Sequence, residues 1–145
     1  MQIRILKKHP DAIIPQYATE GASGLDLHAR IPHDIYLQPG IRYTCPTGIC
    51  IELPEGFEAQ VRPRSGLAIK HGVTLFNGIG TVDADFRGEI CALLINHGAQ
   101  AFKIEPNMRI AQLVIAPVIR AELVRAVELS DTERGEGGFG HTGGL

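Results

Sequence analysis

Short apolar runs with an alternating pattern, separated by turn residues, constrain the fold of this chain most strongly. In residues 49–53, isoleucine and leucine occupy every second position, and the Pro-Glu-Gly sequence of residues 54–56 follows them. In residues 57–61, apolar residues again occupy every second position. A period of two is typical of a β-strand with one buried face. These residues are therefore predicted to form a β-hairpin.

Similar segments recur along the chain, and almost none is long enough for a helix. Further strands are predicted at residues 2–6, 24–29, 41–45, 73–76, 88–96 and 108–117. Only residues 65–71 have a helical pattern, whereas residues 120–129 fit either a short helix or a strand. Many short strands at regular spacing are typical of a sandwich or a barrel. We therefore expect an all-β fold with one short helix.

The composition narrows the possible functions. A chain of 145 residues, 44% of them apolar, can form one domain with a substantial core. Its net charge of −2 gives no basic surface for nucleic acid or for a membrane. Three cysteines without CxxC spacing argue against a disulfide framework or a zinc site and favour a reducing compartment. No signal-peptide or membrane-spanning pattern is visible, so we expect a cytoplasmic protein.

The glycine-rich C-terminal residues 134–145 have too little apolar surface to fold alone. Arg134 can bind phosphate oxygens, glycine N–H groups can surround an anion, and Phe139 can stack on a nucleobase. We therefore expect a domain at residues 1–129 and a flexible arm at residues 130–145 that closes over a nucleotide. A flexible tail without a role is the alternative.

Two short segments are candidates for ligand contact. Asp26 lies between two leucines, so it points away from the core if the leucines face it. Its carboxylate could lie near a metal-bound water or could simply be solvated. In the sequence PRSGL of residues 63–67, Ser65 is suited to be a helix N-cap. The Arg64 guanidinium, the Ser65 hydroxyl and the Gly66 N–H could also bind an anion there.

The segment NGIGTVDADFRGEIC at residues 77–91 carries the most information about function. Apolar segments on both sides predict a hairpin that bends near Ala84 and brings Asn77 roughly opposite Cys91. Main-chain groups of such a hairpin can read the edge of a pyrimidine, and Asp83 on its rim can act as a general base toward water. A turn that uses Asp and Gly for its conformation is the alternative.

A later strand contributes two further polar side chains. Its alternation predicts that Arg109 and Ile110 point to opposite faces. Gln112 needs a hydrogen-bond partner if it is buried, either in the core or in a ligand. The histidines have no HxH or HExxH spacing, which disfavours a histidine-ligated metal.

The order and spacing of five segments resemble those of the homotrimeric dUTP diphosphatases (dUTPases), over nearly the whole chain. The five segments are residues 22–27, 63–67, 80–88, 109–113 and 134–143. The resemblance implies a distorted β-barrel of jelly-roll type and a homotrimer with three active sites at its subunit interfaces. It also implies Mg²⁺-assisted hydrolysis of dUTP to dUMP and diphosphate. That reaction limits uracil incorporation into DNA and supplies dUMP for dTMP synthesis.

The resemblance also implies roles for individual residues. Asp83 orients the attacking water toward the α-phosphorus, and Asp26 lies near the metal-bound waters. Asn77 and main-chain atoms of the hairpin, including Cys91, match the uracil pocket. Phe86 stands under the deoxyribose, where many members carry tyrosine. The other expected substrate-binding residues are Arg64, Ser65, Gly66, Thr81, Val82, Gln112, Arg134, Phe139, Gly140 and Thr142.

Within that set, the resemblance assigns contacts with the phosphates to residues 64–66 and to Gln112. Arg134 matches the arginine at the γ-phosphate, and Phe139 matches the aromatic residue that caps uracil. His141 stands where other members often have serine.

Two other functions are compatible with the sequence. A dCTP deaminase resembles the dUTPases in fold, but it would be expected to carry a glutamate in the pocket for proton transfer. A catalytically silent nucleotide-binding scaffold on the same barrel is the second alternative.

Overall fold

The computed structural model describes residues 1–141. In chain order, its elements are β1 (Arg4–Lys7), β2 (Leu25–His28), β3 (Ile35–Leu37), β4 (Arg42–Pro46), β5 (Ile49–Glu52), β6 (Phe57–Arg62), α1 (Ser65–His71), β7 (Val73–Leu75), β8 (Gly80–Val82), β9 (Cys91–Asn96), β10 (Phe102–Ile104) and β11 (Arg109–Pro117). The predicted all-β class with one short helix is confirmed. Helix α1, at seven residues, is far too short to cross a membrane, and no helix within residues 1–141 meets that requirement.

The strands form antiparallel sheets around one apolar core. The largest sheet has the strand order β2-β11-β6-β8, and a second has the order β4-β9-β7. Two further pairs are β1-β5 and β10-β3. Between residues 1 and 141 the ladders remain four separate sheets and do not join into one continuous barrel. The largest fully buried side chains include Leu27, Leu37, Ile49, Ile90 and Leu94.

The predicted hairpin of residues 49–61 is wrong. β5 pairs with β1, whereas β6 pairs with β11 and β8. Ile49, Cys50 and Ile51 are all buried, so both faces of β5 are covered, unlike the single buried face that the alternation predicted. The chain instead crosses between sheets at Gly56, whose φ of +81° favours glycine.

The chain after β11 has no helix or strand up to residue 141. Both interpretations of residues 120–129 were therefore wrong for the single chain. The segment exposes its apolar side chains almost completely, with Leu123 at 94% and Leu129 at 88% exposure. A segment that buries so little of its own surface gains little from regular structure within one chain.

Candidate active site

Two arginines converge on the carboxylate of Asp26. Arg64 Nε lies 3.2 Å from Asp26 Oδ1, and Arg109 Nη1 donates to Asp26 Oδ2 over 3.1 Å. Arg64 Nη1 also donates to the main-chain carbonyl of Arg109 over 3.1 Å. These contacts hold both guanidiniums in a fixed orientation. One carboxylate and two guanidiniums leave a local charge of +1, which favours an anionic ligand.

The register of the largest sheet brings these residues together. β2 and β11 are antiparallel, with Gln112 opposite Asp26. Leu27 is 0% and Ile110 is 1% exposed. Since side chains alternate along a strand, Asp26 and Arg109 are directed away from the core. The predicted opposite orientation of Arg109 and Ile110 is confirmed.

Gln112 is half-buried beside this cluster, and its amide group is held on both sides. Its Nε2 donates to the main-chain carbonyl of Pro63 over 2.9 Å. Its Oε1 lies against Gly24, where an ideal Cβ would come within 2.3 Å. The predicted need of Gln112 for a partner is therefore met by the main chain just before Arg64.

Helix α1 begins directly after Arg64. Arg64 itself is the N-cap, with φ −96° and ψ 124°, and it makes no side-chain capping hydrogen bond. The interpretation of Ser65 as the N-cap was therefore wrong, because Ser65 is the first residue of the helix. Ser65 and Gly66 are both exposed. The first N–H groups of the helix thus have no side-chain acceptor from the N-cap residue.

His28 and Arg109 also belong to this cluster, and the sequence pattern did not predict that they lie beside Asp26. His28 follows Asp26 by two residues on the same face of β2 and lies opposite Arg109. Its Nδ1 atom is buried without a hydrogen-bond partner. Burial lowers the pKa of His28; Asp26 opposes this effect, whereas Arg109 and Arg64 reinforce it. The period of two in β2 was the available signal, since it places His28 beside Asp26.

The segment 77–91 leaves the three-stranded sheet after β7 and returns to it at β9. The ladder of β7 with β9 ends at Leu75, opposite Leu94, and Asn77 lies in the turn that Gly78 N closes with the Leu75 carbonyl. The approach of Asn77 to Cys91 stays a prediction. Between residues 77 and 91, β8 joins the largest sheet and pairs with β6, whereas β9 pairs with β4 and β7. The prediction that the two arms of this segment pair with each other as a hairpin is therefore wrong, although the chain does bend near Ala84.

Asp83 and Phe86 lie at the bend of this segment. Phe86 N donates to the Asp83 carbonyl over 3.1 Å, which closes a turn. The Phe86 ring lies over Gly88, where an ideal Cβ would come within 2.4 Å of Phe86 Cζ. Just before the bend, Thr81 is exposed and Val82 is buried. Asp83 also lines an open groove of about 660 Å³ between the bend and the turn that follows β5.

Asp83 and the Asp26 cluster lie far apart within one chain. Asp26 is opposite Gln112, and Gln112 is opposite Arg62. The register of β6 with β8, continued by one residue, places Asp83 opposite Glu58. The two sites are therefore three strands apart and offset along β6 from Glu58 to Arg62. With strands about 4.8 Å apart and a rise of about 3.3 Å per residue, the separation is about 20 Å.

The arm supplies an arginine and an aromatic ring that make only local contacts up to residue 141. Arg134 Nε donates to the carbonyl of Gly137 over 2.8 Å. Phe139 is fully exposed, and Gly140 has a φ of +85°. Thr142 lies outside the described residues. One chain therefore does not bring the predicted arm residues to the Asp26 cluster or to Asp83.

Comparison with known proteins decides the family. A family model described as dUTPase matches residues 10–143. The chain belongs to the dUTPase family. It is 58% identical to the deoxyuridine 5'-triphosphate nucleotidohydrolase of Beijerinckia indica, over 97% of this chain and 91% of that protein. It is 53% identical to the protein of the same name from Nautilia profundicola, over 99% of both chains.

A solved structure of the Staphylococcus bacteriophage 80alpha dUTPase with dUpNHpp has the same fold. The TM-score is 0.88 and the sequence identity is 23%, over 98% of both chains. The expected dUTPase-like fold is therefore confirmed.

The surroundings of Asp26 in this dUTPase fit a magnesium ion that is carried by a phosphate chain. Residues 1–141 contain no group of three His, Cys, Asp or Glu side chains that could hold a metal by themselves. Each carboxylate oxygen of Asp26 faces one guanidinium and retains a lone pair for a water. Mg²⁺ prefers oxygen ligands and keeps several waters, so an outer contact through water suits this carboxylate.

Glu89, the glutamate of the 77–91 segment, is engaged elsewhere. Its Oε1 accepts a hydrogen bond from Gly48 N over 2.8 Å, and its Oε2 lies 3.2 Å from Lys8 Nζ. These contacts hold the Glu89 carboxylate at the turn between β4 and β5. They give no support to the proton-transfer glutamate that a deaminase would need.

Proposed function

We propose that this chain is a dUTP diphosphatase that hydrolyses dUTP to dUMP and diphosphate. The observation that carries the proposal is its identity of 52–58% to three deoxyuridine 5'-triphosphate nucleotidohydrolases, over at least 97% of this chain. Identity of this degree over whole chains makes a shared reaction the simplest account. The same reaction would limit uracil incorporation into DNA and supply dUMP for dTMP synthesis.

The cationic cluster is the proposed binding site for the phosphate chain. Arg64 and Arg109 are already held in place by Asp26, so they bind an anion with little loss of side-chain entropy. Further phosphate contacts are assigned to Ser65, Gly66 and Gln112. Asp26 would hold Mg²⁺ through water, and the bound ion would neutralise charge on the phosphate oxygens.

Asp83 is the proposed general base. Its carboxylate accepts a proton from a water whose oxygen attacks the α-phosphorus, while the bond from that phosphorus to the diphosphate oxygen breaks. Little covalent chemistry is required of the protein, so positioning and charge neutralisation dominate the rate. Arg64 and the Arg134 of an arm offset the negative charge that develops on the leaving diphosphate.

The segment 77–91 is the proposed binding site for the nucleoside. Main-chain groups there, with Asn77, would pair with the acceptor–donor–acceptor edge of uracil. Cytosine would leave buried groups unpaired, and such a mismatch can reduce kcat/KM by about 10⁴-fold. Phe86 packs against the sugar and excludes a 2′-hydroxyl, and close packing of the segment excludes a 5-methyl group. The arm, with Phe139, Gly140 and Thr142, closes over the base and excludes water.

The proposed enzyme is a homotrimer in which each active site takes residues from different chains. A separation of about 20 Å between Asp83 and the Asp26 cluster is too large for both to reach one triphosphate within a single chain. A second copy, which brings its own cluster to the first copy's Asp83, removes this difficulty. The apolar side chains exposed after β11 give such copies a surface to bury. They include Val118, Ile119, Leu123, Val124, Val127 and Leu129.

A substrate panel tests the activity. Diphosphate release is measured from dUTP, dCTP, dTTP and UTP in parallel, with and without Mg²⁺, together with ammonia release from dCTP. The expected result is release of diphosphate from dUTP at a rate far above the other three. Ammonia from dCTP, or equal rates for all four nucleotides, would contradict the proposed function.

Subunit complementation tests the shared site. Asp83→Asn and Arg64→Ala chains carry different affinity tags, are co-expressed, and mixed trimers are isolated through both tags. Each homotrimer should be nearly inactive. If Asp83 and Arg64 of one site come from different chains, about a third of the sites in every mixed trimer are intact. Mixed trimers without restored activity would place both residues in one chain.

The proposed organisation is a domain at residues 1–129 and an arm at residues 130–145, of which residues 142–145 lie outside the described part of the chain. A cytoplasmic location is proposed on the basis of the three free cysteines, since a reducing compartment keeps such thiols reduced.

A further inference from the structure

The bend that carries Asp83 and Phe86 lies outside the sheets. Residues 83–89 follow β8 and belong to no strand. The only main-chain bond that closes the turn runs from Phe86 N to the Asp83 carbonyl. Carbonyl groups in such an exposed loop have no strand partner, and either water or a side chain can donate to them. A side chain that is the donor would therefore restrain the loop that carries the two functional side chains.

Arg87 supplies that donor. Its Nη1 donates to the Ala84 carbonyl over 2.6 Å and to the Phe86 carbonyl over 3.0 Å. Its Nη2 lies 3.8 Å from Glu52 Oε1 on β5. One guanidinium thus joins two carbonyls of the bend and faces a carboxylate on an adjacent strand. The planar, multiple-donor geometry of arginine suits this task, and a lysine ammonium reproduces only part of it.

We propose that Arg87 is a positioning residue for the hydrolysis, which fixes the bend so that Asp83 faces the attacking water and Phe86 packs against the sugar. This inference rests on the proposed function. Arg87 is not placed in contact with the substrate. It acts through the two carbonyls on either side of Asp85, within the same turn as the two residues that it positions.

The contacts of Arg87 indicate an effect on catalysis more than on stability. The side chains of Arg87 and Glu52 are 54% and 43% exposed. Ion pairs this exposed contribute little to the free energy of unfolding. By contrast, a shift of about 1 Å in a positioned catalytic group can lower the rate about 10²-fold. Removal of the guanidinium should therefore change turnover and sugar discrimination while the fold persists.

The test compares Arg87→Met, Arg87→Lys and a control, Arg4→Met. Arg4 Nη1 lies 2.9 Å from the other carboxylate oxygen of Glu52, but Arg4 makes no hydrogen bond to the bend. Measurements are kcat and KM for dUTP and UTP, the melting temperature, and the mass in solution. Arg87→Met should lower kcat for dUTP about 10- to 100-fold, with a smaller change in KM, and should reduce the preference for dUTP over UTP. Arg87→Lys should retain part of the wild-type kcat and part of the preference for dUTP over UTP. Arg4→Met should match the wild type in both.

Several results would overturn the inference. One is a folded Arg87→Met protein with unchanged kcat and unchanged sugar discrimination. Another is an equal loss in Arg4→Met, which would assign the effect to surface charge around Glu52. If Arg87→Met does not fold, Arg87→Lys decides the matter, since unchanged kcat and discrimination there would also overturn it. A wild-type protein that fails to hydrolyse dUTP would instead refute the proposed function.

Discussion

Gly24 and Gln112 fit against each other so closely that a methyl group on residue 24 would force the Gln112 amide to move. An ideal Cβ on residue 24 would come within 2.3 Å of Gln112 Oε1, within 3.1 Å of its Cδ and within 3.3 Å of its Cβ. The amide that glycine accommodates donates to Pro63, the residue just before Arg64. Because residue 24 has no side chain, Gln112 can keep its hydrogen bond to Pro63. This bond holds the chain after β6 directly before Arg64, the arginine of the proposed phosphate site.

Gly24→Ala should displace the Gln112 amide and break its bond to Pro63. The expected result is a loss in kcat/KM of about tenfold or more and a destabilisation of about 1–3 kcal/mol, the usual cost of overpacking. Steady-state kinetics and urea unfolding would measure both. Gly21→Ala is the matched control, because an ideal Cβ there meets nothing within 4 Å. Equal behaviour of the two variants would show that the Gly24 contact has no role.

Gly88→Ala should loosen sugar selection. The added methyl group would come within 2.4 Å of Phe86 Cζ, so the ring has to swing away from its present position. The expected effect is a fall of about tenfold in the preference for dUTP over UTP, because the ring no longer packs where a 2′-hydroxyl would lie. The ratio of kcat/KM for the two nucleotides measures it. An unchanged ratio would mean that Phe86 does not select the sugar.

Local periodicity was sufficient to predict individual strands and the faces of their side chains. The alternation around Asp26 correctly predicted that Leu27 faces the core. It also places the Asp26 side chain on the opposite face of β2, where it contacts Arg64 and Arg109. The helix at Ser65–His71 was predicted at its observed bounds. The three-residue strands Ile35–Leu37 and Phe102–Ile104 were missed, because a period of two is hard to recognise over three residues.

Partner choice between strands could not be predicted in the same way. Alternation shows which face of a strand is buried, but it does not show which other strand lies beside it. β5 therefore seemed to pair with β6, although its partner is β1, where Arg4 lies opposite Glu52. For the same reason the contact between Asp26 and Arg109, 83 positions apart in sequence, was not foreseen. It depends on the register between β2 and β11.

Asp83→Asn should retain nucleotide binding and lose turnover. The substitution preserves the shape of the side chain but removes the proton acceptor, and loss of a general base lowers the rate about 10²- to 10⁴-fold. Calorimetric titration with a non-hydrolysable dUTP analogue and a turnover assay separate the two effects. Turnover within about tenfold of the wild type would remove the assigned role of Asp83.

Ionisation of the Cys45 thiol in the unfolded chain should lower the free energy of unfolding at high pH. The Cys45 side chain is 0% exposed, and burial raises the pKa of the Cys45 thiol to about 12. In the unfolded chain the thiol ionises near pH 8.5, whereas in the folded chain it stays protonated. The contribution to stability is therefore complete below about pH 8.5 and is lost as the pH rises toward 12, at about 1.4 kcal/mol per pH unit. Urea unfolding under reducing conditions at about pH 8.5, 9.5 and 10.5 should give a steeper decline in the free energy of unfolding for the wild type than for Cys45→Ala. Parallel declines would contradict this assignment.

A truncation after Leu129 should leave a folded trimer with very little activity. The described part of the arm makes local contacts, such as the hydrogen bond from Arg134 to Gly137, and Phe139 is fully exposed. Removal of the arm therefore removes no packing from the core. The expected melting temperature stays within about 3 °C of the wild type, while kcat/KM falls about 10²-fold or more, since both water exclusion and the Arg134 charge are lost. Arg134→Lys in the full-length chain is the companion variant, because lysine retains the charge without the planar guanidinium. Its kcat/KM should lie between those of the wild type and the truncated protein. Normal hydrolysis by the truncated trimer would show that the arm does not close over the substrate.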